Sequence, residues 1–185
     1  MVMREAIRAT LPVAMGYIPA GIAFGLFAVQ QGLVWYWAVL MSLWVYAGAA
    51  QFAAVALLTA GVNTWGIIFT VGVINLRHIF YGWPLLAHLP ARGWARYYAL
   101  ASLTDESYSL LTSQPHLQQS TQLVWVCGLN QLYWVVGTLL GAVFGTWLGM
   151  KIPGVEFALT ALFAILWFEQ YRALRQPWPF IVGVI

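Results

Sequence analysis

Residues 122–149 read QLVWVCGLNQLYWVVGTLLGAVFGTWLG, an apolar run without one charged side chain. A helix rises ~1.5 Å per residue and the hydrocarbon core of a bilayer is ~30 Å thick, so this run is long enough to cross one. Lipid offers the backbone no hydrogen bonds, which leaves helices and closed barrels as the spanning structures. Barrel strands alternate apolar and polar residues, whereas this run is continuously apolar. It reads as a helix. Within it Gly137, Gly141, Gly145 and Gly149 recur at every fourth position, clearing a groove where a second helix can approach closely. Asn130 and Gln131, ahead of the groove, suit hydrogen bonds between helices, with substrate contact as the alternative.

The rest of the chain follows the same pattern. It is 62% hydrophobic and 7% charged, against ~25% charged in soluble domains, too few charges to wet a globular surface. About six spans are predicted, roughly at 11–30, 37–59, 65–83, 95–112, 122–149 and 156–171. Residues 180–185 read as the start of a seventh, cut off where the sequence stops. The expected fold is all-α: a polytopic transmembrane helix bundle with broken helices, leaving room for an inverted repeat. It forms one membrane-embedded transporter domain over residues 1–185. Arg4 and Arg8 before an apolar stretch resemble a signal peptide. That stretch is long for a signal, no small-residue cleavage site follows, and more spans come after it. It reads as the first membrane helix.

The formal net charge is +3, but the basic residues sit singly or in pairs between apolar runs. That is the distribution of loop anchors and speaks against nucleic acid. The single cysteine, Cys127, can form no internal disulfide and reads as a small packing residue. Trp35, Tyr36, Trp37, Trp65, Trp83, Trp94, Tyr97, Tyr98 and Trp178 mark the interfaces, where aromatic rings favour the headgroup level. The longest polar stretch, Ser113 to Gln122, is a loop. With the N-terminus inside, Arg4, Arg8, Arg172 and Arg175 fall inside and Arg92, Arg96 and Lys151 outside. That small excess favours a cytoplasmic N-terminus.

Polar groups at membrane depth carry the chemistry. A charge at a span centre costs ~2.5–3.5 kcal/mol on insertion scales, so Arg77, Asp105 and Glu106 need protein or a wet cavity beside them. Ser102, Asp105, Glu106, Ser109 and Ser113 fall on one face of a predicted fourth-span helix, with Leu103, Leu110 and Leu111 opposite. Such a stripe lines a cavity or belongs to a helix lying at the interface. Interfacial helices are rich in Lys and Arg, and only Arg92 and Arg96 are near, which favours the cavity. In the third span Asn75 and His78 share a face beside Arg77. Arg77 either pairs with Asp105 or Glu106 or snorkels to the headgroups near Trp83. His78 suits a proton relay or a packing hydrogen bond. In the first span Pro19, between Gly16 and Gly21, removes a backbone donor. A break there would bare backbone groups to a substrate; a kink used only for packing is the alternative. His78, His88 and His116 lack metal-ligand spacing, and no phosphate loop or nucleophile elbow is present. A membrane-embedded enzyme is therefore disfavoured, while a passive or gated channel for a small solute needs the same polar lining.

Five segments resemble, in content and order, the AzlC family of branched-chain amino acid exporter large subunits. They are GYIPAGIAFG at 16–25, YAGAAQF at 46–52, INLRH at 74–78, TDES at 104–107 and YWVVGTLLG at 133–141. The resemblance spans nearly the whole chain, although family members usually continue through further apolar sequence. It implies a multi-pass permease subunit of the bacterial inner membrane, a secondary transporter exporting branched-chain amino acids such as L-valine. It also implies a small hydrophobic partner subunit of the AzlD type. No cofactor or metal is expected. The substrate-binding candidates are Tyr17, Pro19, Gln51, Asn75, Arg77, His78, Asp105, Glu106, Ser109 and Asn130. Asp105 or Glu106 would meet the substrate ammonium, and the first-span break or Arg77 its carboxylate. The intramembrane acids suggest proton coupling.

Overall fold

Two long helices, α1 (Val2–Gln30) and α8 (Ser120–Leu148), form the axis of the protein. The computed structural model describes residues 2–149 and, beyond them, Pro153, Gly154, Phe157, Thr160, Ala161 and Ala164. Both axial helices are long and apolar enough to cross a membrane. They run parallel: Thr10 meets Tyr133, Gly21 meets Gly137 and Gly25 meets Gly141. Their backbones nearly touch. A Cβ added to Gly21 would lie 2.7 Å from the Trp134 carbonyl oxygen, and one added to Gly141 would fall onto the carbonyl of Ile22. The glycine groove of α8 is thus filled from within the chain, by α1, at Gly137, Gly141 and Gly145, while nothing lies within 4 Å of a Cβ added at Gly149.

Between the axial helices the chain runs in half-helices. α2 (Trp35–Trp44) and α3 (Gly48–Thr59) are parted at residues 45–47. α4 (Thr64–Asn75) passes into α5 (Arg77–Leu85) through Leu76. α6 (Trp94–Ala101) and α7 (Asp105–Ser113) are parted at residues 102–104, and a 3₁₀ turn, Pro115–Gln118, leads into α8. A parallel pair requires an odd number of crossings between its members, which agrees with each pair of half-helices making one. Most of the expected interfacial aromatics sit at helix ends: Trp35, Tyr36 and Trp37 open α2, Trp65 opens α4, Trp83 nears the end of α5 and Trp94 opens α6, whereas Tyr97 and Tyr98 lie within α6 and Trp178 lies outside the described residues. Trp65, Phe69, Phe80 and Trp83 point outward and stay exposed, and α4 buries none of its residues. Outward apolar side chains are what a bilayer accommodates. The buried residues gather in two clusters. One is centred on Phe24, Phe52 and Trp134, and the other on Leu85, Leu111, Leu123 and Cys127.

The structure corrects several expectations. The first span is not broken near Pro19: α1 is continuous through both Pro12 and Pro19 and begins well before residue 11. Each proline removes one backbone donor, but both lie on the exposed side of α1, where the ring meets no packed chain. Transmembrane helices absorb such a loss by small local adjustments. The breaks fall instead in the second and fourth spans. Consequently Ser102 to Ser113 do not form one helical stripe, because residues 102–104 are not helical. The expected sixth span at 156–171, apart from the isolated positions named above, and the tail 180–185 lie outside the described residues.

Gly141→Leu should separate α1 from α8, since the obstructing atoms are backbone and cannot swing aside. Overpacking of this kind costs ~1–3 kcal/mol or more. Thermal unfolding of the purified protein in detergent should show a clear loss of stability, whereas Gly16→Leu, where nothing lies within 4 Å of an added Cβ, should be neutral.

Candidate functional site

The two breaks meet at one cleft, which also takes in the first turn of α5. Its walls are Tyr17 of α1, Tyr46 to Ala49 at the start of α3, Arg77 and His78, Thr104 to Glu106, and Trp134 of α8.

The break before α7 follows from local hydrogen bonding. Ser102 Oγ donates to the Tyr98 carbonyl at 2.7 Å, a back-bond that competes with helix propagation. Thr104 is extended, at φ −97° and ψ 173°, and its Oγ1 accepts from the Ser107 backbone N–H at 3.3 Å. It is the N-cap of α7. Asp105 and Glu106 therefore occupy the first turn, where the helix dipole stabilises negative charge. Asp105 Oδ2 lies 2.5 Å from a terminal guanidinium nitrogen of Arg77. Glu106 turns the other way, and Tyr17 Oη lies 2.5 Å from Glu106 Oε2 and 2.7 Å from Thr104 Oγ1. A phenol has one proton to donate, and the carboxylate is the stronger acceptor. Tyr17 is the donor to both, its single proton shared chiefly with Glu106, and Thr104 Oγ1 lies 3.0 Å from Ser107 Oγ, where either hydroxyl can donate. Asn130 Nδ2 donates to that same Ser107 Oγ at 2.9 Å. The chain links Asn130 of α8 to the Glu106 carboxylate.

At the other break Tyr46 takes a left-handed conformation, φ 39°, rare for a bulky residue. The freed Leu43 carbonyl accepts from Gln131 Nε2 at 2.9 Å, and Gln131 Oε1 accepts from Tyr98 Oη at 2.7 Å. Trp134 lies against Gly48 so closely that an added Cβ would sit 2.9 Å from its Cη2. Its indole is fixed: Nε1 donates to Gln51 Oε1 at 2.9 Å, and Gln51 Nε2 donates to Ser42 Oγ at 3.0 Å. Ser42 in turn bonds Thr138 of α8 at 2.8 Å.

Of the candidates read from sequence, the cleft brings together Tyr17, Arg77, His78, Asp105 and Glu106. Arg77 pairs with the fourth span and does not snorkel. His78 Nδ1 lies 3.1 Å from the Asn75 carbonyl. Asn75 itself is not on the cleft wall, although its Oδ1 is buried without a partner. Pro19 and Ser109 are exposed and away from the cleft. Gln51 is fully buried with both ends of its amide engaged, so its side chain positions Trp134 and α3. Asn130 is likewise buried and supports the cleft through Ser107. Sequence reasoning missed Tyr46, Thr104, Ser107, Trp134 and the backbone at 47–49. The spacing of Thr104 and Ser107, a hydroxyl three residues before a helical N–H, was the available signal for the cap.

Residues 12–148 match the family model described as AzlC protein. The branched-chain amino acid transport protein AzlC of Bacillus subtilis is 29% identical over 98% of this chain and 72% of its own length. The inner membrane protein YgaZ of Escherichia coli is 34% identical over 84% of this chain and 66% of its own length. An uncharacterized membrane protein of Helicobacter pylori is 32% identical over 91% of this chain and 75% of its own length. No solved structure matches the chain.

The Arg77–Asp105 pair is about one-third exposed on each side, between the surface case of ~0–1 kcal/mol and the buried case of ~3–5 kcal/mol for removing one partner. Arg77→Glu or Asp105→Arg alone should therefore destabilise by roughly 1–3 kcal/mol. The double reversal should recover part of that loss in thermal unfolding. Additive losses in the double variant would show that the two side chains do not interact.

Proposed function

The chain belongs to the AzlC protein family, and on that premise we propose that it is a permease subunit exporting branched-chain amino acids such as L-valine across the cell membrane. The family and the membrane setting are common to the chain and its relatives. Substrate, direction and coupling are the proposal. The observation that carries it is the pairing of Arg77 with Asp105 beside Glu106, at the meeting of two helix breaks in an otherwise apolar bundle. Intramembrane charges are costly and face substrate pathways when they are retained. Broken helices at such a place supply backbone groups and half-helix dipoles to a bound solute. A branched-chain amino acid needs an acceptor for its ammonium, donors for its carboxylate and an apolar wall. Asp105, whose Oδ1 is buried and unpartnered, offers the first, and Trp134 and Ala49 offer the last.

Proton coupling belongs to the same proposal. Glu106 ends the hydrogen-bond chain through Tyr17, and a carboxylate so placed can take up and release a proton during the cycle. So does the small AzlD-type subunit. With the glycine groove occupied by α1, its contact lies on another face, and co-expression should raise the yield or activity of the protein.

The test is counterflow of labelled L-valine in proteoliposomes, with and without a co-expressed small subunit. Saturable exchange is expected, and unsaturable flux would favour a channel. Asp105→Asn should cut exchange at least tenfold, the loss of one charge-assisted contact, while membrane insertion stays intact. Wild-type exchange by this variant would remove Asp105 from the site.

A further inference from the structure

α3 begins inside the protein with nothing on its first backbone N–H groups. Its N-cap position is Ala47, extended at φ −142° and ψ 92°, and no side chain bonds the first turn. Gly48, Ala49 and Ala50 follow, so neither hydroxyl nor carboxylate lies within local reach. Elsewhere the chain meets this need or avoids it. Thr104 caps α7 and Asn63 caps α4, while α2 and α6 start at exposed Val34 and Gly93. Ala47, only 5% exposed, has no such recourse. A buried helix end without protein partners is met by water or by a ligand.

A second observation points to the same place. Tyr46 is 4% exposed and lines the cleft, yet its hydroxyl has no hydrogen-bond partner. Ala47, Gly48 and Ala49 line that cleft as well, so the uncapped start of α3 and Tyr46, whose hydroxyl has Tyr17 and Thr104 as its polar neighbours, border one space. Asp105 lines the same cleft, with Oδ2 on Arg77 and Oδ1 without a hydrogen-bond partner.

We propose that the start of α3, together with the Tyr46 hydroxyl, is the seat of the substrate's α-carboxylate, with the ammonium held by Asp105 in the same cleft. This rests on the amino-acid transport proposed above. A helix N-terminus carries roughly half a positive charge and aims several N–H donors outward, the arrangement that binds carboxylates and phosphates. Arg77 is the competing donor: one terminal nitrogen is on Asp105, and its Nε is buried without a partner. The start of α3 adds a positive potential at the cleft that no side chain caps. The Trp134 ring lies against Gly48, which puts an apolar wall beside the seat for a branched side chain.

Ala47→Asp places a carboxylate at the N-cap position, where aspartate caps helices from its own side chain, and so fills the seat in cis. In proteoliposomes of the full chain, half-saturation by L-valine should rise about tenfold or more. Isobutylamine, which is valine without its carboxylate, should become an exchanged substrate that the wild type ignores. Ala47→Asn fills the seat without a charge and should lose heat protection by L-valine, which decides the matter if the aspartate variant fails to reach the membrane. Unchanged valine half-saturation in Ala47→Asp, or unchanged heat protection in Ala47→Asn, overturns the assignment. So does amine exchange that follows Arg77→Gln instead of Ala47→Asp, and so does an inserted Ala47→Asp protein that handles neither compound. Heat protection of the wild type by L-valine reports binding apart from transport. Protection without exchange sinks the transport proposal and leaves the seat standing, whereas neither protection nor exchange sinks both.

Discussion

Backbone contact between α1 and α8 is the constraint on which the site depends. Gly21 and Gly25 on one helix meet Gly137 and Gly141 on the other. Between lipid-facing helices no hydrophobic driving force operates, so close van der Waals packing through small residues has to hold the pair together. That contact sets the height of two side chains. Tyr17 lies one turn before Gly21, and Trp134 lies three residues before Gly137. The rings meet edge to face with centroids 5.6 Å apart. From there Tyr17 reaches the break before α7, and Trp134 reaches the start of α3. The polar cleft is therefore hung from an apolar, glycine-based joint.

Each break frees backbone groups that lipid cannot satisfy, and the protein answers most of them with side chains. Gln131 takes the Leu43 carbonyl, Thr104 takes the Ser107 N–H, and Asn130 steadies Ser107. The Gln51–Trp134–Ser42–Thr138 network ties α2, α3 and α8 without leaving a free polar end inside it. Buried polar networks of this kind are stabilising when complete and costly when not. Against that background the unanswered groups stand out: the first N–H groups of α3, the Tyr46 hydroxyl and Asp105 Oδ1 all border the same cleft. Other unpartnered atoms, such as Gln122 Oε1 and Asn130 Oδ1, lie on residues off the cleft wall.

The helical, membrane-spanning character of the chain was legible because apolar runs of bilayer length allow little else. The convergence of Arg77 with Asp105 was legible for a related reason: few acids lie at that depth. The positions of the breaks were not. Pro19 carries the strongest local breaking signal, but its exposed placement on α1 lets the helix run on. Residues 45–47, Val-Tyr-Ala, carry no breaking residue at all, and the left-handed turn at Tyr46 is imposed by what surrounds it. The segment at 102–104 held a readable cap in Thr104, obscured because Ser102, Asp105, Ser109 and Ser113 also fit a helical period. Periodicity counts spacing and cannot see that a turn intervenes. Gln51 was read as a substrate contact and Asn130 as an interhelical bond or a substrate contact, and which of these a polar residue makes depends on tertiary partners.

The two acids of the first turn of α7 differ in what their surroundings leave open. Glu106 is held by the Tyr17 phenol at the end of a hydrogen-bond chain, so a change in its charge would be felt through Thr104 and Ser107 to Asn130 on α8. Asp105 is held on one oxygen only, by a guanidinium from a different span. A ligand arriving at Asp105 can share or displace Arg77 without disturbing the chain that ends on Glu106. Conversely, protonation at Glu106 would loosen Tyr17 and with it the link between α1 and the break, while leaving the Arg77–Asp105 contact in place. In the proposed transport cycle adjacent carboxylates can thus serve separate tasks, one bearing on the solute and the other on the helices around it. What separates the tasks is direction: successive residues at a helix start point about 100° apart, one toward α5 and the other toward α1.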